Sequence, residues 1–556
     1  MTGGDAVVAV LRSFGVRHVF GIISVHNLPI FDALARDGSI MVVSTRHEQG
    51  AVHAADGYAR ATGELGVAIT STGPGAANAV SGLYEAAFAS SRVLMVTGQI
   101  DSQYYGMGKG CYHEADRQLA TLRSVTRTTA SVNRTGDIAA AIRDVIVDIH
   151  TGRAQPGAVE IPIDLQHASA EIEVPDAHDP DDWPAVVPDR AALDQAAALL
   201  AQADRPLLWA GGGVVAAGAT VELTRLAEHL SAPVVTSLQG RGAIAEDHPL
   251  AMGATAPERT TAKTITAADV VLAVGTRFQE DETDQWGLPM PGQLVHIDAD
   301  RSVLGRNYQP EVGILGDARL GLQGLLDRLR QRGADGDVEG GTPWAPRSTH
   351  IARVHAERDT RRAEGRARLG PDHVQVMDTI REHLPRSGIV VRDATVPAYM
   401  WGDRLLPIYE PRTSIYPTSG AVGPGLALAI GATLGARRPT VLIQGDGGAM
   451  FGLGELATAR QYDIPLVICL FNDRGYGVLR TIQDRSMGGR RTGVDLATPD
   501  FAAVGRACGL DSVTITDVEG FRSFFPRAVA SGEPWLLDID LAGLAPLTLA
   551  TSWSSP

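Results

Sequence analysis

Two short stretches carry residues whose types and spacing suit chemistry. In VLIQGDGGAMFGLGELATARQYDIPLVICLFNDRGYG, residues 441–477, Asp446 stands between Gly445 and Gly447, and Gly448 follows. An aspartate offers a hard oxygen to a hard cation, and Mg²⁺ takes one or two protein carboxylates beside phosphate oxygens. The flanking glycines let the backbone turn sharply and approach a phosphate closely, and a following helix N-terminus adds partial positive charge. A diphosphate held through Mg²⁺ is the chemistry this pattern suits. An isolated Gly-Asp-Gly is more often a helix-capping turn, and the pair Asn472-Asp473 further along makes the pattern more specific. The second stretch is MVVSTRHEQGAVHAADGYARATG, residues 41–63, where Glu48 opens a helix. Alone, Glu48 reads as a favourable contact with the helix dipole. In a dry pocket, a carboxyl group at such a place suits proton exchange with a ligand.

These residues need elements to position them. Strands over 441–444 and 466–471 flank a helix over roughly 452–462, which makes one βαβ unit. Its strands are parallel, so Asp446 and Asn472-Asp473 fall on the same sheet edge, where open α/β sheets bind ligands. The whole chain repeats this rhythm. HVFGII, MVVST, GVAITST, VLMVTG, LLWAGG, PVVTSL, VVLAVG, LVHID, IVVRDA and WLLDIDL are short apolar runs ending in small or polar residues. Buried parallel strands joined by crossover helices look like this. The fold class is α/β, with three doubly wound parallel-sheet domains expected over residues 1–172, 187–335 and 373–556. The Pro- and Asp-rich stretch 173–190 reads as a linker, and 333–372 as a second connection.

On these motifs the chain resembles the thiamine-diphosphate (ThDP)-dependent decarboxylase and acetolactate-synthase family, and the likeness runs along its whole length. The resemblance implies the ThDP-binding fold, with a pyrimidine-binding N-terminal domain, a central domain and a diphosphate-binding C-terminal domain. It implies metal ligation by Asp446, the side chain of Asp473 and the main chain of Gly475. The family has asparagine where Asp473 stands. The added negative charge is expected to be compensated by metal and backbone donors, with Asn472 as the alternative ligand. RHEQGAVHAADGYAR resembles the segment carrying the family's catalytic glutamate, which maps to Glu48. That acid hydrogen-bonds the pyrimidine N1′ and drives the 4′-amino group to the imino form that deprotonates C2. TSTGPGAANAVSGL resembles the glycine-rich loop that follows, and Pro74 and Asn78 are carried over from it as cofactor contacts. TSGAVGPGLALAIGA resembles the segment that bends the cofactor: the carbonyl of Gly420 would receive the 4′-amino group and Val422 would wedge between the rings. Gly445, Gly447, Gly448, Asn472 and Tyr476 complete the expected cofactor set. In the family the two half-sites meet across a subunit interface, so a homodimer or homotetramer is implied.

The variable loops bear on substrate. Acetolactate synthases have a Gly-x-Pro-Gly turn where this chain has Gly21-Ile22-Ile23-Ser24-Val25-His26-Asn27. His26 there is a candidate to hold a carboxylate or relay a proton, against a histidine satisfied by local backbone. Cys111-Tyr112-His113-Glu114 stands where those enzymes have Ala-Phe-Gln-Glu, and His113 and Glu114 are acid/base candidates against a solvated loop. Gln99 maps to a cofactor-proximal glutamine. Flavin-binding relatives have an Arg-Phe-Asp-Asp-Arg-like stretch where this chain reads Arg277-Phe278-Gln279-Glu280-Asp281. Gly211-Gly212-Gly213 alone is weak support, so no FAD is expected. The C-terminus, LDIDLAGLAPLTLATSWSSP, lacks the Pro-rich tail of the biosynthetic synthases.

Bulk properties exclude other classes. A formal charge of −15 over 556 residues argues against a nucleic-acid or anionic-membrane surface. Cys111, Cys469 and Cys508 are too scattered for a zinc site or a disulfide framework. No signal-peptide core and no run of about 18 apolar residues is present, so a cytoplasmic protein is expected. The reading that follows is decarboxylation of a 2-oxo acid and then carboligation, as in acetolactate synthases. The alternatives are simple decarboxylation, cleavage of a 2-hydroxyacyl-CoA or cyclic dione, or a silent subunit of the same fold.

Overall fold

In the computed structural model, which describes residues 1–179, 183–334 and 348–547, three six-stranded parallel sheets follow one another along the chain. The first contains β1 (His18–Gly21), β2 (Met41–Ser44), β3 (Gly66–Thr70), β4 (Val93–Gln99), β5 (Thr128–Ser131) and β6 (Gly157–Pro162). The second contains β7 (Pro206–Ala210), β8 (Val234–Thr236), β9 (Ala251–Gly253), β10 (Val270–Val274), β11 (Gln293–Asp298) and β12 (Val312–Leu315). The third contains β13 (Ile389–Arg392), β14 (Ser414–Ile415), β15 (Thr440–Gly445), β16 (Leu466–Asn472), β17 (Asp511–Ile515) and β18 (Trp535–Asp540). β1, β3, β4 and β6 are buried almost throughout because helices cover both faces, which is why they read as continuous apolar runs.

Strand order explains where sites can form. The first sheet runs β2-β1-β3-β4-β6-β5 and the third runs β14-β13-β15-β16-β18-β17, so both follow the same winding. Each reverses direction between its first and third strands, and the crevice outside those carboxyl ends is the expected ligand position. In the first sheet Gly21 lies opposite both Ser44 and Ile69, so the loops carrying His26, Glu48 and Gly73 leave at one level. In the third, Gly445 lies opposite Phe471 and Arg392 opposite Ile443, which brings Asp393, Asp446 and Asn472 to one edge.

The first and third domains are joined by a close helix pair. Gly57, on the Glu48–Thr62 helix, approaches Leu428, and Gly431, on the Gly425–Ala436 helix, approaches Ala54. A Cβ on Gly57 would stand 2.7 Å from the Leu428 carbonyl carbon, and one on Gly431 would stand 2.6 Å from that of Ala54. Such contacts require glycine, and they account for the small-residue composition of both helices.

Two local details go beyond the sequence. The Arg/Glu-rich part of 333–372 is helical: the helix Ser348–His383 is broken at Gly370-Pro371, where Gly370 has φ 76°. Residues 335–347 and 548–556, including the end of the C-terminal tail, lie outside the described residues. The helix expected at 452–462 is found as Glu455–Gln461, and a separate helical piece, Asp446–Ala449, comes first. Gly445 is the extended cap of the first piece, so the helix opens at Asp446 itself. The glycines at 447, 448, 452 and 454 make a single continuous helix unfavourable.

Candidate active site

The N-terminal half of the site is built on two helix starts. His47 caps the Glu48–Thr62 helix, its Nδ1 accepting the Gln49 N–H at 3.2 Å, and Glu48 is the first helical residue. Pro74 opens the neighbouring Pro74–Ala89 helix after Gly73, whose φ is 58°. Asn78 Nδ2 donates to Glu48 Oε2 at 3.0 Å. Gly75 borders the same carboxylate, since a Cβ there would lie 3.0 Å from Glu48 Oε1. Glu48, Gly75 and Asn78 therefore form one group around a half-buried carboxylate, and Pro74 opens the helix that carries the last two.

A histidine pair stands beside it. The rings of His26 and His113 are 5.0 Å apart. His26 is buried, and its Nδ1 has no hydrogen-bond partner among the described residues, so the ring is not satisfied by local backbone. Burial, and then the nearby His113, hold its pKa below the ordinary histidine value. His113 has φ 63°, and its Nδ1 lies 3.3 Å from Ser71 Oγ. Ser71 in turn borders Gly75, which borders Glu48, so the pair is linked to the Glu48 group through one residue. Glu114 does not face this group: it accepts N–H bonds from Lys109, Gly110 and Cys111 and closes its own loop.

Gln99 is fully buried and bonds to protein on both sides. Its Oε1 accepts Ile100 N–H at 2.8 Å and Thr72 Oγ1 at 3.3 Å, and its Nε2 lies 3.4 Å from Glu160 Oε2. Glu160, also fully buried, takes further bonds from Gln118, Tyr105 and Ser131. Gln118 Oε1 accepts the Gly73 N–H at 2.8 Å. This network fixes the glycine-rich loop from below.

The C-terminal half centres on Asp446, which is only 1% exposed. Its Oδ2 accepts Gly475 N–H at 2.8 Å and its Oδ1 faces Asp473 N at 3.4 Å, so the loop after β16 is folded onto it. Asn472 turns elsewhere, donating to Asp538 Oδ1 at 3.2 Å and accepting the Arg474 N–H. Tyr476 covers Gly447, where a Cβ would meet its ring at 2.7 Å. Burial raises the pKa of Asp446; burial, and then the Asp446 charge, push Asp473 up to about 7. Arg480 opposes this, with Nη1 3.5 Å from Asp473 Oδ2. The extra charge of Asp473 is thus partly balanced by a side chain, a compensation the sequence reading did not contain.

The donor set fits a divalent cation bridging to a diphosphate. A buried carboxylate whose pKa is raised by its neighbour's charge, as that of Asp473 is by Asp446, is relieved by a cation between the two. Asp446, Asp473 and the Gly475 carbonyl supply only hard oxygens. Gly420 has φ 79° and open space where a Cβ would point, and Val422 is 38% exposed, so both face outward from the edge. Asp393, missed in the sequence, holds this segment: it accepts N–H bonds from Gly423 at 3.0 Å and Gly425 at 2.9 Å. Its only sequence signal is its place at the end of an apolar strand.

Among the described residues the Glu48 and Asp446 groups share no hydrogen bond; they are two half-sites on two sheet edges. In the central domain, Gly213 and Gly275 pack directly together, a Cβ on Gly213 meeting the Gly275 Cα at 2.6 Å. Gly211 is held as closely, since a Cβ there would meet the Gly275 carbonyl carbon at 2.6 Å.

Three family profiles match: the thiamine pyrophosphate enzyme N-terminal TPP binding domain over residues 1–121, the central domain over 193–325 and the C-terminal TPP binding domain over 396–539. The chain is similar to a probable acetolactate synthase large subunit of Methanocaldococcus jannaschii, 33% identical over 97% of this chain and 92% of that one. It is similar to a probable 2-ketoarginine decarboxylase, AruI, of Pseudomonas aeruginosa, 37% identical over 92% and 88%. It is also similar to the acetolactate synthase large subunit of Corynebacterium glutamicum, 32% identical over 93% and 83%. The chain belongs to the thiamine pyrophosphate enzymes. It is a ThDP-dependent enzyme of the carboligase and decarboxylase type, and its three α/β domains are those of that family.

Proposed function

We propose that this enzyme decarboxylates a 2-oxo acid with ThDP and Mg²⁺, and that Glu48 and Asp446 anchor the two ends of the cofactor. The observation that carries the reading is the pair of half-sites at equivalent edges of two identically wound sheets, one with an outward carboxylate and one with an all-oxygen donor set. Asp446, Asp473 and the Gly475 carbonyl would hold Mg²⁺ and through it the diphosphate. The bonds that turn Asn472 towards Asp538 favour Asp473 as the ligand. Gly445, Gly447, Gly448 and Tyr476 would line the diphosphate, Gly420 and Val422 the bent centre, and Glu48 the pyrimidine ring. ThDP, when bound, supplies the nucleophilic carbon and the electron sink that decarboxylation needs. The chain's own part is to orient the acid and to manage protons at Glu48 and at the histidine rings. In this reading each site takes its Glu48 group from one chain and its Asp446 group from another, so a homodimer or a homotetramer completes it.

The His26–His113 pair favours a second reading of the product. A histidine of this pair that takes a proton from solvent can pass it, as the imidazolium, to the carbon that loses CO₂ and return to the neutral ring, and so give an aldehyde in place of carboligation. The likeness to a probable 2-ketoarginine decarboxylase supports a donor bulkier or more polar than pyruvate. Product analysis with pyruvate alone, and then with longer and more polar 2-oxo acids, tests both readings. The expected result is slow turnover of pyruvate, faster turnover of a larger acid, and aldehyde matching CO₂. In His113→Phe the aldehyde fraction should fall. Rapid, clean acetolactate from pyruvate would return the protein to the synthase reading.

No flavin is part of this reading. The stretch Arg277-Phe278-Gln279-Glu280-Asp281 departs from the Arg-Phe-Asp-Asp-Arg-like stretch of flavin-binding relatives. The purified enzyme is expected to be colourless, and a stoichiometric flavin spectrum would overturn this.

A further inference from the structure

The segment from Tyr416 to Gly425 is gripped at both ends by buried carboxylates from different domains. At its far end the carboxylate is Asp393 of the C-terminal domain, bonded to Gly423 and Gly425. At its near end it is Glu85, fully buried on the Pro74–Ala89 helix of the N-terminal domain. Glu85 Oε1 accepts the Thr418 N–H at 2.6 Å and its hydroxyl at 2.9 Å. Glu85 Oε2 accepts the Ser419 N–H at 3.0 Å and the Ser419 hydroxyl. Arg60, on the Glu48–Thr62 helix, donates to Glu85 Oε1 at 2.6 Å and to the Tyr416 carbonyl at 2.6 Å. The groups of residues 416, 418 and 419 are therefore fixed immediately before Gly420. Gly420 and Val422 lie between the two grips and face outward.

A plain interdomain contact does not need this arrangement. Buried ion pairs are often replaceable by apolar residues without loss of stability, and their best-attested use is to specify register. Glu85 spends both oxygens on consecutive backbone N–H groups, which fixes the position and direction of the strand entering the outward turn. Burial pushes Glu85 up, but the Arg60 charge and the bonds from Ser419 outweigh it and bring its pKa down to about 2, so the carboxylate is charged in the fold.

We propose that Glu85 is a positioning residue for the reaction, setting from across the domain interface where Gly420 and Val422 stand against bound ThDP. The proposal rests on the reading that Gly420 and Val422 meet the cofactor. Glu85→Gln turns an amide donor towards N–H groups that need an acceptor and takes the charge partner from Arg60. The diphosphate anchor at Asp446 is untouched, so ThDP affinity by calorimetry and the KM for the 2-oxo acid should stay near wild type. The kcat should fall about 10- to 100-fold, as expected for a misplacement of about 1 Å at a reacting centre. The C2–H/D exchange of bound ThDP, read by NMR, should slow with it. Glu85→Asp, which keeps the charge with a shorter reach, should recover part of both. Ser419→Ala removes one donor outside the Arg60–Glu85 pair; it should slow exchange in the same direction and decides the matter if Glu85→Gln does not fold. Val422→Gly is the control on the underlying reading. If Val422→Gly slows exchange while the Glu85 and Ser419 variants keep wild-type exchange and kcat and lose only thermal stability, the positioning role is overturned and the loop reading stands. If Val422→Gly also leaves exchange unchanged, the loop reading falls and the proposal with it.

Discussion

Glu48→Gln is expected to fold, to bind ThDP and to lose turnover by about 10²- to 10⁴-fold, the range that general acid–base groups contribute. Glutamine has the same shape as glutamate, and its carbonyl can still accept the Asn78 amide that now reaches Glu48 Oε2. The helix start keeps its His47 cap, and Gly75 keeps its close approach. What the substitution removes is a group that can give up and regain a proton at the pyrimidine ring. Binding depends mainly on the Asp446 half-site and should survive. The rate of C2–H/D exchange in bound ThDP separates the two functions. Unchanged exchange in the variant would remove Glu48 from the mechanism and leave it as a helix-start carboxylate.

The residues that a reader of the sequence finds first are those whose neighbours restrict them. Gly445, Gly447 and Gly448 flank a carboxylate at a strand end, and only a tight turn at the sheet edge explains that pattern. Glu48 is legible for a related reason: a strand ends at Ser44, and the helix must start within a few residues. Glu85 is not legible in this way. It sits in GLYEAAFA as an ordinary helical glutamate, and its partners at 418 and 419 are more than 330 residues away. Asp393 has the same difficulty, because the bonds that give it meaning come from a turn on another part of the sheet.

Composition left one point open. Arg- and Glu-rich residues between 348 and 372 read as a connecting segment, and these long side chains are good helix formers. The helix they make buries Val354 and Leu369 before the break at Gly370, and the helical stretch after it buries Val376 and Ile380. Asp473 shows a third limit. The sequence says that an unusual charge stands beside the metal site, and the fold alone shows that Arg480, in the first turn of the next helix, faces it.

Asp446→Ala should fail at the other end of the cofactor. The side chain is almost fully buried, carries a direct oxygen for Mg²⁺ in this reading, and also holds the 473–475 loop through Gly475 N–H. Groups that merely orient metal ligands cost about 10- to 100-fold in affinity when removed, and a ligand that also shapes its own loop should cost at least that much. Calorimetry should therefore show Mg²⁺-dependent ThDP binding weakened by about 100-fold or more, with the Glu48 half-site unaltered. Unchanged affinity would place the diphosphate elsewhere. The same variant tests how the half-sites combine. If each site takes Glu48 from one chain and Asp446 from another, a dimer of one Glu48→Gln chain and one Asp446→Ala chain contains one intact site and one doubly defective site. Co-expression in equal amounts should then restore about a quarter of wild-type activity, since half of randomly paired dimers are mixed and each has one of two sites intact. Sites contained within single chains would give no recovery, because every chain in the mixture carries a lesion.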